Sequence, residues 1–360
     1  MPPPPRETPG VTDAPLWREL LALAGSRSPR FDRRWADLHD VIAGRPARPG
    51  VDWDAVADAA HIGEVVGVVA DHEALRPRLA QSVRRQVLVD MSLELALDRA
   101  ARALSRAGVE RVVLLKGAVT APTLYDPPWR RARRDIDVLV AREELLASVA
   151  ALEADGWRAD PEPGEELKGP LAVRAWPMVL ELPVGPICCD LHQRLFPERG
   201  YVVDLDGILA RRVTGRAPLA ITSPEDTLLH VALHMARSGF QEPLKAWVDL
   251  LYLARDPRVD LALAARRARA WRAGPSLWAC LHVVSRWFGG PDPSALGPGS
   301  TPPAAHRAAL TRLLSGTGAD PLRQPVSRRA AVGASALLAI EGASARAAYL
   351  RGMIARRAGA

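Results

Sequence analysis

Arg131-Ala132-Arg133-Arg134-Asp135-Ile136-Asp137-Val138-Leu139-Val140 is the stretch that decides how this chain is read. Two aspartates flank one isoleucine and run straight into an apolar tail. On a strand, successive side chains alternate faces, so Asp135 and Asp137 point one way while Ile136 and Val138 enter the other. Two carboxylates one strand repeat apart repel each other unless a cation sits between them. Aspartate is depleted in strands, so this pair at the mouth of an apolar run reads as a metal site ahead of a strand end that reaches water.

The preceding segment supplies a partner. Val112-Val113-Leu114-Leu115 is a short apolar run stopped by Lys116-Gly117, and a helix is predicted over Ala118–Tyr125. Strand, glycine turn and helix start is the arrangement in which backbone N–H groups meet an anion. Alone, Lys116-Gly117 is equally an ordinary turn with a solvated lysine. About eighteen residues ahead of the aspartate pair, it reads as a phosphate cradle, with glycine admitting the phosphates and lysine supplying a point charge. Lysine is rare here: Lys116, Lys168 and Lys245 are the three among 48 basic residues. It is kept at 116 where arginine is the habit.

Lys116-Gly117, then Tyr125, then Arg131 four residues ahead of Asp135-Ile136-Asp137, resembles the uncharacterised nucleotidyltransferase family of the polymerase-beta-like superfamily. Ile187-Cys188-Cys189-Asp190-Leu191-His192 resembles that family's apolar-Asp-Leu-His segment, which carries a third acid. Ser223-Pro224-Glu225-Asp226, His234 and Trp247-Val248-Asp249-Leu250 match its helical C-terminal part, so the likeness runs over roughly residues 90 to 255. It implies an α+β fold, with a small mixed-sheet nucleotidyltransferase core flanked by N-terminal and C-terminal helical parts. It implies that Asp135, Asp137 and Asp190 are the catalytic and metal-binding acids, and that Lys116, Gly117 and Arg131 bind the nucleotide. Two Mg²⁺ ions and an NTP, with ATP the expected one, follow from it. So does the reaction, transfer of a nucleoside monophosphate to a hydroxyl on a small molecule, peptide or protein, with Asp190 helping to take the proton. The chain departs from the pattern at Gly117-Ala118, where many relatives carry Gly-Ser and a further hydroxyl for phosphate.

Strand parity agrees for the third acid, because Cys188, Asp190 and His192 fall on one face and Cys189 and Leu191 on the other. Other residues read more plainly. Arg130, Arg133 and Arg134 are expected on the surface. His192 is expected to pack or hydrogen-bond beside Asp190. His230 and His234 share a helix face, but Val231 stands where a metalloprotease needs glutamate; His234 stays open as a group near the base or acceptor. Trp247 is expected in the core and Asp249 on a helix surface. Ser/His/Asp hydrolase and glycine-rich dinucleotide patterns are absent.

At 360 residues and 48% hydrophobic content, the chain is long enough for two or three domains. The predicted division is 1–15 disordered, 16–108 helical, 109–215 the nucleotidyltransferase core, 216–290 a C-terminal helical domain, and 291–360 a Pro/Gly-rich linker with Ala/Arg-rich helices. A net charge of +7 admits an anionic partner, but arginine and alanine usage looks like coding bias. With aromatics at 5%, nucleic acid is possible and not favoured as acceptor. Cys188, Cys189 and Cys280 have no disulfide or metal spacing and fit a reducing cytoplasm. No signal pattern opens the chain, and Ala330–Ile340 is too short to span a bilayer, so no membrane association is expected. Two classes stay open: an enzyme, or a non-catalytic nucleotide- or partner-binding protein on the same fold.

Overall fold

The computed structural model describes residues 29–159, 175–196, 200–214, 219–240, 242–316 and 341. The disorder expected over 1–15, the start of the helical part expected over 16–108 and the tail beyond 316, residue 341 apart, lie outside them. The fold is α+β, as expected: a five-stranded mixed sheet with helices flanking it.

The strands are β1 (Val112–Leu114), β2 (Asp135–Val140), β3 (Arg158–Ala159), β4 (Trp176–Leu182) and β5 (Gly185–His192), in the order β1-β2-β5-β4-β3. β2 and β5 are parallel and central, and every other pairing is antiparallel. A parallel pair needs a crossover, here made by a helix, the short β3 and the β4–β5 hairpin between β2 and β5. The register sets Asp135 beside Cys188, Asp137 beside Asp190 and Leu139 beside His192. Neighbours across a ladder share a face, so the acids of both central strands lie on one side of the sheet.

The opposite face is apolar. Ile136, Val138, Val140, Met178, Leu180, Cys189 and Leu191 pack there against two helices. One is the long helix Arg76–Arg106, through Leu93, Ala96, Leu97, Ala100 and Leu104; the other is Leu145–Ala154, through Leu145, Val149 and Leu152. Each fully buried leucine is worth about 1.5–3 kcal/mol of burial. On the acid-bearing side, Val113, Leu115 and Leu139 join a core built with the C-terminal helices Pro224–Arg237, Leu244–Arg255, Leu261–Ala270 and Gly274–Phe288. Ser223 caps the first of these, its hydroxyl accepting from the Asp226 N–H at 3.3 Å, with Pro224 opening the helix. A third core joins the N-terminal helices Pro29–Ile42, Trp53–Ile62 and Val66–Val69 to Tyr125 and Val248.

Within the N-terminal helical part, residues 51–70 form two helices, parted at Gly63-Glu64-Val65, where Glu64 takes a left-handed φ of 55°. On the long helix, Leu88, Met91 and Leu95 are exposed, because helical spacing puts them on the face away from Leu93, Leu97, Ala100 and Leu104. The sheet touches only the narrower stripe that includes Ala100 and Leu97. The segment after β2 opens with a 3₁₀ turn, Arg142–Glu144, before the helix Leu145–Ala154.

Candidate active site

The helix after β1 begins at Lys116 rather than at Ala118, and runs Lys116–Leu124. Lys116 itself has the left-handed φ, 43°. Such a backbone costs about 1–3 kcal/mol for a non-glycine residue and gathers at functional sites. Gly117 is needed for another reason. A Cβ built on it would stand 2.5 Å from Nη1 of Arg131, so glycine makes room for the guanidinium.

Lys116 turns its side chain to the sheet, where Nζ donates to Oδ1 of Asp137 at 2.8 Å. His192, one strand over, places Nε2 2.7 Å from the same oxygen. Asp137 is 3% exposed. Burial alone would raise its carboxyl, but the His192 hydrogen bond and the Lys116 charge outweigh it and hold the group below the usual carboxylate range. His192 thus has the hydrogen-bonding role expected of it beside Asp190, and its partner is Asp137.

Asp190 is half-buried and accepts from the Cys188 thiol at 3.3 Å. Burial, then the Asp190 charge, push that thiol up to about 12, so it stays a neutral donor. One ligand atom each from Asp137, Asp190 and His192 lie within 4.8 Å of one another, the cluster among the described residues with that geometry. Two carboxylates and an imidazole are a donor set that suits a divalent cation. Lys116 and His192 both use Oδ1 of Asp137. Asp135 stands outside this cluster, exposed at the mouth of β2. Desolvation by the surrounding rim and then the Asp137 charge raise its carboxyl, against the pull of Lys116.

The arginine run meets acids at every position. Arg130 pairs with Asp71, Arg133 with Asp90 and Glu94, and Arg134 with Glu64. Arg133 is 6% exposed, which corrects its assignment to the surface: the two carboxylates of the long helix compensate its burial. Arg131 donates through Nε and Nη2 to Oδ2 of Asp249, at 3.1 and 2.7 Å. Asp249 also accepts from Tyr125 Oη at 2.7 Å and Thr120 Oγ1 at 3.3 Å. At 1% exposure it is a buried acid, not the helix-surface acid expected, because these three partners satisfy its charge. Trp247, on the same helix, is in the core as expected.

Lys245, from that helix, pairs with Glu64 and reaches the Ala132 carbonyl at 3.5 Å. His230 is buried with its ring edge-on to Phe196. His234 sits 3.4 Å from Glu242. Burial is the main cause lowering both imidazoles, which favours their neutral forms. The sequence brought Asp137 and Asp190 to notice; it did not show Thr120, Tyr125, Asp249 or Lys245 as neighbours of this cleft. The lysine rarity noted above was the one usable signal for Lys245.

A cluster of two carboxylates and an imidazole lies on two parallel strands, with Lys116, at the start of the helix after β1, bonded to one of its acids. The family model for an uncharacterised nucleotidyltransferase matches residues 49–289, and the chain belongs to that family. Membership supports nucleotidyl transfer as the general chemistry. No curated protein and no solved structure matches the chain. Among the described residues, no helix is long and apolar enough to cross a membrane.

Proposed function

We propose that this protein is a divalent-metal-dependent nucleotidyltransferase that moves a nucleoside monophosphate from an NTP, with ATP the first to test, to a hydroxyl on a small molecule, peptide or protein. The observation that supports this most is the Asp137–Asp190 register, with His192 closing a donor cluster beneath Lys116. Asp135, Asp137 and Asp190 are the proposed Mg²⁺ ligands. When bound, Mg²⁺ supplies charge neutralisation at phosphate oxygens and lowers the pKa of an attached hydroxyl. Lys116, the helix N-terminus at Gly117, and Arg131 bind the triphosphate. Asp190 accepts the acceptor's proton as the new oxygen–phosphorus bond forms and pyrophosphate leaves. Three free cysteines fit a reducing compartment such as the cytoplasm.

One observation favours the non-catalytic reading. Asp137 is already satisfied by Lys116 and His192, so the acid can be held without an ion. Mass spectrometry of the protein incubated with Mg²⁺, each NTP in turn and host lysate separates the two. The enzyme reading expects a nucleotide-sized adduct on an acceptor that vanishes with Asp190→Ala, while that variant still binds a non-hydrolysable NTP. NTP binding that is indifferent to Mg²⁺, with no adduct, overturns it in favour of a binding protein.

A further inference from the structure

We propose that Asp249 is a positioning residue of the nucleotide site: from the C-terminal helical layer it holds the Arg131 guanidinium against Gly117, where its outer edge meets the terminal phosphates of a nucleoside triphosphate. This rests on the nucleotidyltransferase reading and adds to it a residue that never touches the ligand.

The geometry is specific. Arg131 has five N–H donors. Nε and one of Nη2 are spent on Asp249, and one of Nη1 donates to the Ala132 carbonyl at 3.0 Å. One hydrogen on Nη1 and one on Nη2 remain for a ligand. Nη1 is the atom that leaves no space for a Cβ on Gly117. The fork therefore stands at the first turn of the helix whose opening residue, Lys116, points into the acid cluster. A guanidinium beside a helix N-terminus that opens with lysine is a set of donors that suits a polyphosphate.

Asp249 is what fixes that fork. Its carboxylate gathers Tyr125, Thr120 and Arg131 in a buried knot at the junction of two helices, Lys116–Leu124 and Leu244–Arg255. A buried ion pair is a poor choice if stability is the only task, since apolar side chains of equal volume serve as well or better. Here the pair determines which edge of Arg131 is spent and which is presented. Arg131 stands four residues ahead of Asp135, so the same knot anchors the approach to the acids.

Isothermal titration, with Mg²⁺, of α,β-methylene-ATP and of AMP tests the role. Asp249→Asn should weaken the triphosphate analogue about tenfold and leave AMP unchanged. In an Arg131→Ala background it should add no further loss, because it acts through Arg131. Equal weakening of both ligands, no weakening, or a further loss without Arg131 would each overturn the proposal. If Asp249→Asn melts below the assay temperature, Tyr125→Phe removes one donor from the same carboxylate and keeps its charge. It should weaken the analogue about threefold and spare AMP, and equal affinities overturn the role. Wild type that binds no analogue overturns the nucleotide reading too, whereas wild-type binding with an indifferent variant overturns only Asp249.

Discussion

Asp135 and Asp137 are two residues apart on one strand and face the same way, yet the protein treats them in opposite fashion. Asp137 is buried and held ionised by Lys116 and His192. Asp135 is exposed at the rim, lacks such contacts, and has its carboxyl raised by desolvation and by its neighbour's charge. The difference shows that a two-residue motif can combine an acid satisfied within the fold with one that has no such partner. Burial without compensation is expensive, so the deep acid carries its own cations and the shallow one does not.

The largest effect should come from the anchor. Asp137→Ala leaves Lys116 and His192 facing a void, and a buried pair broken on one side costs about 3–5 kcal/mol. Urea unfolding in EDTA should show that loss, and Mn²⁺ titration followed by electron paramagnetic resonance should show no remaining tight site. An intact stability would mean that the two partners relax freely, and the contrast with Asp135 would fail.

Next is Gly117→Ala. Its methyl group must push the Arg131 guanidinium aside, an overpacking cost of about 1–3 kcal/mol. A lower Tm together with weaker triphosphate binding is expected. A variant with wild-type Tm would show that Arg131 moves without penalty.

The smallest effect, and the sharpest test of the contrast, is Asp135→Asn in metal-free buffer. A raised carboxyl means that the native state binds this proton more tightly than the unfolded chain. Its contribution is thus fully present below the ordinary value of 3.8 and is lost as pH rises through the raised value. Asparagine removes that loss, so the variant should melt slightly above wild type at pH 7 and merge with it near 3.8. Asp137 has the opposite sign: its contribution is present above its ordinary value and is lost only as pH falls through its lowered one. With Mg²⁺ and nucleotide added, the ranking should reverse, wild type gaining stability that Asp135→Asn cannot. Identical gains would remove Asp135 from the ligand set.

The readable part of this molecule was local. Alternation on β2 and β5 placed Asp135, Asp137, Asp190 and His192 by face, because parity depends on nothing beyond the strand itself. Apolar runs and a Ser-Pro cap placed the central strands and the helix Pro224–Arg237 for the same reason. What stayed hidden was long-range. Asp249 and Arg131 are 118 residues apart in sequence, and no periodicity distinguishes an acid that will find three buried donors from one that faces water. Arg133 looked like surface charge until the long helix brought Asp90 and Glu94 to it. Leu88, Met91 and Leu95 form an apolar stripe of their own on the far side of the long helix from Leu93, Leu97 and Leu104, and no local signal tells which of two such stripes a sheet will cover.

The scarcity of lysine has a practical consequence. Arginine makes most of the ion pairs, while the two described lysines make one pair each near β2. Lys116 is on Asp137, and Lys245 is on Glu64 beside the Ala132 carbonyl. Their side chains are 27% and 19% accessible. Amine-selective acylation, which spreads over dozens of positions in most proteins of this size, has three side chains to modify here. The chain carries a built-in chemical reporter: slower labelling at 116 when a nucleotide is added would register occupancy of the cleft by peptide mapping, with no acceptor known and no mutation made.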